Sequence, residues 1–326
     1  MGGRRYFVRK LVQAFFTLIF VLCFNFFLFR IMPGDPVRLL AKQKGVHLTE
    51  AAQQALAHDL GLDQPLPTQF LHYLGDTFRG HLGTSFIYPG ESVVTVFLRY
   101  LWPTFLLVGT ATVLMTVIGL YLGIRGGWNR GSRGDLASMG SSLVLYSMPD
   151  FWLAMMLLIL FSTFLGWFPS GGYSSPDVAL SGPEHLVDVL NHMFLPCLTL
   201  TLGYLGEYYL VMRSSLLDVI GEEYITTVRA KGIREGQVLW GHAVRNALLP
   251  TISQIALGFG FVITGAITVE LVFSYPGLGL LTITAIDSQD FQLLQGLFLF
   301  FSIAVLLSNL VADILYSYFD PRVREA

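Results

Sequence analysis

Long apolar runs constrain this chain more than any other feature of its sequence. Crossing the hydrocarbon core of a bilayer takes about 20 consecutive, mostly apolar residues. Of the 326 residues, 53% are hydrophobic and only 13% are charged, so a water-soluble fold of this length cannot bury all the apolar surface. We therefore expect an all-α polytopic membrane protein with six transmembrane helices, over residues 8–32, 97–124, 136–168, 193–212, 248–273 and 293–319.

Three of these runs contain local signals of their own. Gly119 and Gly123 form a GxxxG pair, which is typical of closely packed membrane helices. Pro149 interrupts the third run and predicts a kink, because proline removes a helical hydrogen bond and clashes with the preceding turn. Pro196 stands near the start of the fourth run, where a first helical turn tolerates proline. The first run is too long for a signal peptide and has no cleavage site before Arg30, so we expect an uncleaved helix.

The distribution of basic residues predicts the orientation. Lys and Arg concentrate in the short cytoplasmic loops of membrane proteins. With both termini in the cytoplasm, all but six of the 20 Lys and Arg residues fall on that side. The six exceptions lie in or beside a long first external loop, which translocates regardless of charge; they are Arg30, Arg38, Lys42, Lys44, Arg79 and Arg99. The net charge of −2 offers no case for binding nucleic acid.

The runs divide the chain into three parts. Residues 1–96 form the first helix and the large external loop, 97–319 the transmembrane core, and 320–326 a cytoplasmic tail. Within the external loop we expect helices at 49–60 and 68–78. Turns are expected at its glycines, and the second external loop, 167–191, is expected to be irregular; the glycines are Gly80, Gly83 and Gly90.

A polar stretch, 222–250, separates the fourth and fifth runs and has helix signals of its own. Gly221 ends the preceding helix, and acidic residues in the next turn suit the positive end of a helix dipole. Gly232 is placed as a left-handed terminator, and a second helix over 234–249 ends at Pro250. The charged residues that mark the first helix are Glu222 and Glu223 at its start and Arg229 and Lys231 at its end.

A helix this short is marginal alone in water, so it needs a partner surface. Tyr224, Ile225 and Val228 share one apolar face by their spacing. That face fits docking into the groove of another protein. The alternative is an amphipathic connector that lies on the lipid headgroups.

At this point the sequence resembles a family, the type I ABC importer permeases in the form used by peptide importers. The resemblance rests on several stretches that follow one another in family order, among them EYITTVRAKG followed by RNALLP. The N-terminal pattern and the long first external loop resemble the B-type permease of the dipeptide, oligopeptide and nickel importers. The other matching stretches, in family order, are RYFVRKLVQ, IMPGDP, LGLDQPLPTQFLHYL, GHLGTS, SMPDFW, FPSGGY, MRSSLLDVIGEEYI, ELVFSYPGLGLL and NLVADILYSYFDPRVR.

The sequence differs from the family pattern at two places. His81 stands where an Asp is usual, and Thr226, Thr227 and Val228 stand where the general importer motif begins Glu-Ala-Ala. The resemblance implies that the helix within 214–250 inserts into a cleft of an ATPase subunit. The residues that it assigns to coupling are Glu222, Glu223, Tyr224, Ile225, Val228, Arg229, Ala230, Lys231 and Gly232.

The resemblance also implies a set of partners and a location. It implies the bacterial cytoplasmic (inner) membrane, a heterodimer with a second homologous permease, two cytoplasmic ATPase subunits and an extracytoplasmic substrate-binding protein. ATP and Mg²⁺ would be bound by the ATPase subunits, and this chain would carry no cofactor and catalyse no reaction. The implied cargo is a di- or oligopeptide; nickel chelates, glutathione and glycosidic compounds remain alternatives.

The sequence lacks the common motifs for nucleotide binding and hydrolytic catalysis, as expected for a transport role. The sequence has no GxxxxGK[ST] phosphate loop, no HExxH and no GxSxG. An ion-driven secondary transporter, the main rival, is expected to show inverted repeats and paired membrane acids, and neither is evident. A structural subunit without a pathway is the second rival.

Ionisable residues inside apolar runs are costly, so they are candidates for the pathway or its gate. Asp150 follows the interruption of the third run and either faces the pathway or caps backbone groups freed by the kink. Glu207 lies near the middle of the fourth run and either lines the pathway or bonds to a neighbouring helix. By family likeness, Glu270 with Pro276 and Gly277 is expected to form an external gate or a contact for the binding protein.

Overall fold

The computed structural model describes a chain that is built from helices. Its backbone is described over residues 2–31, 63–175 and 182–319. Side chains are described over the same ranges, apart from 2–7, 31, 250, 253–254, 256–265 and 315–319. The predicted helix at 49–60 and the predicted tail at 320–326 lie outside the described residues.

Within the described residues, helices occur where the sequence predicts them, with shifted bounds. The helices are α1 (Gly2–Ile31), α2 (Leu66–Phe78), α3 (Val93–Trp128), α4 (Arg133–Ser147), α5 (Asp150–Leu157), α6 (Pro183–Ile220), α7 (Glu223–Ala230), α8 (Val244–Val272), α9 (Leu278–Asp287) and α10 (Phe291–Phe319). π-helical turns extend α5 over Leu158–Phe164. A short turn at Glu235–Gln237 and π-helical turns at Val238–Ala243 lead directly into α8.

Several of these helices are long and apolar enough to cross a membrane. Within the described residues, four qualify by themselves, over Val8–Arg30, Val93–Trp128, Pro183–Ile220 and Phe291–Ile314. The pair Arg133–Ser147 and Asp150–Phe164 qualifies together as a fifth, bent span. The sixth predicted span, 248–273, falls on the 29-residue helix α8. The count of six stays a prediction.

The third run bends far more than the predicted kink. Its two halves, α4 and α5, meet at 105°. Met148 and Pro149 both adopt extended backbone, with ψ of 133° and 134°, so the helix stops at Ser147 and a new one starts at Asp150. Pro149 therefore marks the interruption that the sequence predicts. It does not lie inside one kinked helix, however, but directly before the first turn of a second helix.

Three predicted boundaries were wrong. Pro183 opens α6, so the irregular external loop does not extend to residue 191, and Pro196 lies buried in the helix interior rather than in a first turn. The sequence also predicts that a helix ends at position 250, whereas the backbone of α8 continues through this position. In a membrane bundle, neighbouring helices and local adjustments compensate for the hydrogen bonds that proline removes. A proline is therefore a weak boundary signal in this environment.

Helix α6 forms the centre of the bundle and packs against α3, α4, α5 and α8. Its contact with α3 depends on glycine. A Cβ at Gly119 would lie 2.6 Å from the Cβ of Tyr208, and one at Gly123 would lie 2.8 Å from the Cβ of Met212. The GxxxG pair thus allows the close packing that the sequence predicts.

Contacts between α1 and α10 distinguish the two ends of the bundle. The Lys10 ammonium lies 2.9 Å from the Asp313 carboxylate at one end. At the other end, the Asn25 amide donates to the Gln295 carbonyl at 3.1 Å. The orientation across the membrane stays a prediction, and after it we name the first the inner end, which also carries α7 and the loop 129–132. The second is named the outer end, which carries α9 and the loop 79–92.

Candidate functional site

Helix α7 at the inner end has the boundaries that its residues predict. Glu222 is extended and precedes the helix, and Glu223 and Arg229 occupy its first and last turns. Charges of these signs stabilise the two ends of a helix dipole. The chain leaves through Gly232 with φ at +76°, a conformation that favours glycine.

The apolar side of α7 is occupied by the chain itself. Ile225 is fully buried and belongs to a cluster with Met212 and Leu216 of α6 and Val238 and Val244 after α7. Val228 packs against the same cluster. The spacing predicted an apolar face for the groove of another protein or for the lipid headgroups. For Ile225 and Val228 that prediction is wrong, because α6 and the second half of the polar stretch supply the surface that these residues pack against.

The other side of α7 is exposed and mostly polar. Tyr224 lies at its edge, where its hydroxyl accepts a hydrogen bond from the Asn246 amide at 2.7 Å. Arg229 pairs with Glu235 at 3.1 Å and lies 5.4 Å above the Trp128 ring. We call the exposed residues the inner face of α7; they are Glu222, Glu223, Tyr224, Thr226, Thr227, Arg229, Ala230, Lys231 and Gly232.

A buried ion pair joins α4 to α6 at the inner end, and no local signal in the sequence indicates it. The Asp135 carboxylate at the start of α4 accepts from Nε and Nη2 of Arg213 on α6 at 2.7 and 2.8 Å. It also accepts from the Tyr209 hydroxyl at 3.0 Å and from the Gly131 backbone N–H at 2.9 Å. This bidentate geometry locks the loop between α3 and α4 to the helix that leads into α7.

Two candidate pathway residues lie near the middle of α6. The Tyr204 hydroxyl donates to Asp150 Oδ2 at 3.2 Å. A Cβ at Gly203 would lie 2.9 Å from Asp150 Oδ1, so glycine leaves the room that this carboxylate occupies. Glu207, one helical turn from Gly203, is half-buried. The structure thus brings Asp150 and Glu207 to the same stretch of α6, beside the break between α4 and α5.

Glu270 at the outer end is fully buried, and its carboxylate caps the start of α9. Oε1 accepts from the Thr104 hydroxyl at 2.7 Å, and Oε2 accepts from the backbone N–H groups of Gly279 and Leu280 at 2.7 and 3.2 Å. The Thr104 oxygen in turn accepts from the Leu278 N–H at 2.7 Å. In this conformation the carboxylate therefore holds α3, α8 and α9 together and has no exposed surface for contact with a binding protein.

The residues between α8 and α9 are tightly packed around Glu270. A Cβ at Gly277 would collide with the Glu270 carboxylate, whereas Pro276 beside it is half-buried. Tyr275 is buried, and its ring lies 5.9 Å from that of Tyr173 in the second external loop. Glu270 and Gly277 thus pack directly against each other at the outer end, and half-buried Pro276 precedes Gly277 in the chain.

A second carboxylate fixes the outer end and was also missed by sequence reasoning. Asp290 caps α10 through the Leu293 N–H at 3.0 Å. Its other oxygen accepts from the Ser85 hydroxyl at 2.7 Å and the Phe86 N–H at 2.6 Å. An acidic residue directly before an apolar run is an N-cap signal, which could have identified the cap but not the contact with Ser85.

Tyrosine contacts fix the same external loop to α3. The hydroxyls of Tyr88 and Tyr100 lie 2.6 Å apart, and the Arg99 guanidinium lies 5.8 Å from the Tyr88 ring. Burial raises the pKa of Tyr88 to about 12, and its hydrogen bond with Tyr100 acts in the same direction. The hydroxyl is therefore neutral at physiological pH, and this hydrogen bond is insensitive to ordinary changes in pH.

The helical bundle, the bent third run and the exposed inner helix are features of a membrane transport subunit. Residues 115–325 match the family described as binding-protein-dependent transport system inner membrane component. Residues 4–89 match the N-terminal part of the same kind of component. The chain belongs to the family of inner membrane components of binding-protein-dependent transport systems.

Curated relatives cover almost the entire chain. The glutathione transport system permease protein GsiC of Pectobacterium atrosepticum is 36% identical over 98% of this chain and 98% of its own length. The oligopeptide transport system permease protein AppB of Bacillus subtilis is 31% identical over 98% of both chains. Among solved structures, the MetNI methionine ABC transporter matches with a TM-score of 0.56 and 16% identity, over 70% of this chain and 97% of that one. This likeness supports the fold alone.

These findings establish the class of protein. The chain is an all-helical, multi-pass permease of the bacterial inner membrane with the fold of ABC importer permeases. Its family is one of transport components and not of catalysts, and such importers work with ATPase and substrate-binding proteins. The predicted family and fold are thereby confirmed, whereas the roles of the individual site residues stay predictions.

Proposed function

We propose that this chain forms half of the translocation pathway of an ATP-driven importer of di- or oligopeptides. The observation that carries the proposal is its similarity over nearly the full length to permeases named for oligopeptide and glutathione transport. Glutathione is itself a small peptide, so a cargo with a peptide backbone is common to both. A glutathione importer is the second candidate on the same ground.

The proposed assembly is a heterodimer with a second, homologous permease. Two cytoplasmic ATPase subunits bind ATP and Mg²⁺ and hydrolyse the nucleotide, and an extracytoplasmic binding protein delivers the cargo. The absence of a phosphate-loop motif from these 326 residues supports the placement of hydrolysis in other chains. On this view the chain needs no cofactor of its own.

The proposed mechanism starts at the inner face of α7, which is seated in the ATPase. Closure of the ATPase pair moves α7 together with α6, because Ile225 is packed against Met212 and Leu216 of that helix. Movement of α6 shifts Glu207 and, through the hydrogen bond from Tyr204, Asp150. It thereby switches the permease pair between inward-open and outward-open states. Packed helices respond to such small shifts by changing between discrete arrangements.

Gly232 offers a test of this coupling in the reconstituted importer. Gly232→Val forces a β-branched residue to positive φ, which costs at least about 1–2 kcal/mol and displaces the end of α7, so we expect ATP-driven uptake of labelled peptide to fall severalfold. Nothing lies within 4 Å of a Cβ at this position, so the effect comes from the backbone of the α7 terminus and not from a clash.

Gly236→Val is the matched control, because Gly236 lies four residues away, a Cβ built there meets nothing within 4 Å and its φ is not positive. We expect normal uptake in the control and normal membrane insertion in both variants. Uptake in the Gly232→Val variant equal to that of the control would contradict coupling through α7. Wild-type uptake that a protonophore abolishes and ATP depletion does not affect would favour the secondary transporter instead.

A further inference from the structure

A cavity of about 420 Å³ opens at the inner end, between the end of α3 and the start of α4. Its lining includes Leu122 and Arg125 of α3, Asn129 at the end of that helix, and Ser132 and Ser138 around the start of α4. Pockets that hold small molecules have volumes of about 300–1,000 Å³, so the cavity is large enough for a small polar group.

The charge around this cavity is positive. Arg125 lines the cavity and is exposed. Two further exposed arginines lie next to lining residues in the chain, Arg130 on the loop 129–132 and Arg133 at the first position of α4. Asp135 also lines the cavity, but its carboxylate is held in the bidentate pair with Arg213. The one acidic side chain of the lining is thus neutralised, and three arginines remain to attract an anion.

The cavity lies where the surface of the bundle changes from apolar to basic. On α3 the exposed apolar residues end with Tyr121, whose hydroxyl accepts from Arg125 Nη1 at 3.2 Å. On α4 they begin with Leu136, which is 57% exposed, and continue with Leu143 and Val144. In a membrane protein, such apolar faces contact lipid chains, and the headgroups lie beside the basic residues next to them.

We propose that this cavity binds the phosphate headgroup of an anionic phospholipid, with the acyl chains lying along the exposed surfaces of α3 and α4. The class of headgroup follows from charge complementarity, since a zwitterionic lipid gains less from the three arginines. Basic pockets between membrane helices at the cytoplasmic side are suited to such headgroups. The site takes a lipid rather than the cargo or an ATPase subunit, so it goes beyond the proposed function and does not rest on it.

The test measures binding of phosphatidylglycerol and of phosphatidylcholine with the same acyl chains to the purified importer, by native mass spectrometry. We expect tighter binding of phosphatidylglycerol. The double variant Arg125→Gln/Arg133→Gln should bind it about tenfold or more weakly, since each arginine near an anionic surface contributes about one factor of five. The control Arg79→Gln/Arg245→Gln removes two exposed arginines that neither line the cavity nor neighbour its lining residues in the chain, and its binding should match the wild type.

A second pair of variants tests the cavity with all arginines in place. Ser138→Leu fills part of the cavity and should weaken phosphatidylglycerol binding, whereas Ser141→Leu, on the exposed side of the same helix, should not. Equal affinity for the two lipids, or equal loss in the test and control variants, would overturn the proposal. Displacement of the lipid by soluble glycerol phosphate at comparable affinity would do so too, because the site would then be one for a free phosphate.

Discussion

Replacing Glu270 with alanine should destabilise the folded permease by about 3 kcal/mol and abolish most uptake. The change removes the acceptor for the Thr104 hydroxyl and for the Gly279 and Leu280 N–H groups, all at the packed outer end. Buried donors without an acceptor cost about 1–3 kcal/mol each, and loss of a helix cap costs about 0.5–2 kcal/mol. The measurement is thermal unfolding in detergent, together with ATP-driven uptake.

Two further variants make this prediction specific. Glu270→Gln keeps one acceptor oxygen and should lie between alanine and wild type in stability. Glu184→Ala removes an exposed glutamate from the first turn of α6 and should change the unfolding temperature little. If Glu270→Ala unfolded at the same temperature as Glu184→Ala, the capping role of Glu270 would be wrong.

Breaking the pair between Asp135 and Arg213 is expected to have an effect of similar size. Arg213→Met leaves a carboxylate that is 1% exposed without its cation, and removal of one partner from a buried pair typically costs about 3–5 kcal/mol. The free energy of unfolding should fall accordingly. Uptake should fall with it, because the loop 129–132 is no longer held to the helix that leads into α7.

The double variant Asp135→Asn/Arg213→Met separates the pair from the packing around it. Because no unpaired charge is left, the double variant should be less destabilised than the sum of the two single variants by about 1 kcal/mol or more. Additive losses of unfolding free energy would mean that the two side chains do not act as a pair. Tyr209→Phe provides a smaller perturbation, since it removes only one donor to the same carboxylate.

The sequence predicted the features of this fold that depend on neighbouring residues. Apolar run length indicated the long helices, and the order Glu223 to Gly232 predicted both ends of α7. The spacing of Gly119 and Gly123 predicted close helix packing. In each case a periodicity or an end signal within a few residues was enough.

Contacts between distant residues could not be predicted in this way. Asp135 and Arg213 are separated by 78 positions, and Asp290 and Ser85 by 205. A single sequence contains no local signal for such pairs. The environment of Ile225 was misjudged for the same reason, because the surface that buries it includes residues before and after α7. The bend at Ser147 depended on two extended residues, of which only the proline gave a signal.

The most direct test of the account is a cross-link from the inner face of α7 in the assembled importer. Thr226→Cys, in a chain whose Cys23 and Cys197 are replaced by serine, places a thiol on that exposed face. Asn129→Cys is the control, since it is exposed at the same end but outside α7. We predict that a short bifunctional reagent joins residue 226 to the ATPase subunit and leaves residue 129 unlinked. Labelling of residue 226 by a lipid-phase probe, with no link to the ATPase, would contradict the account.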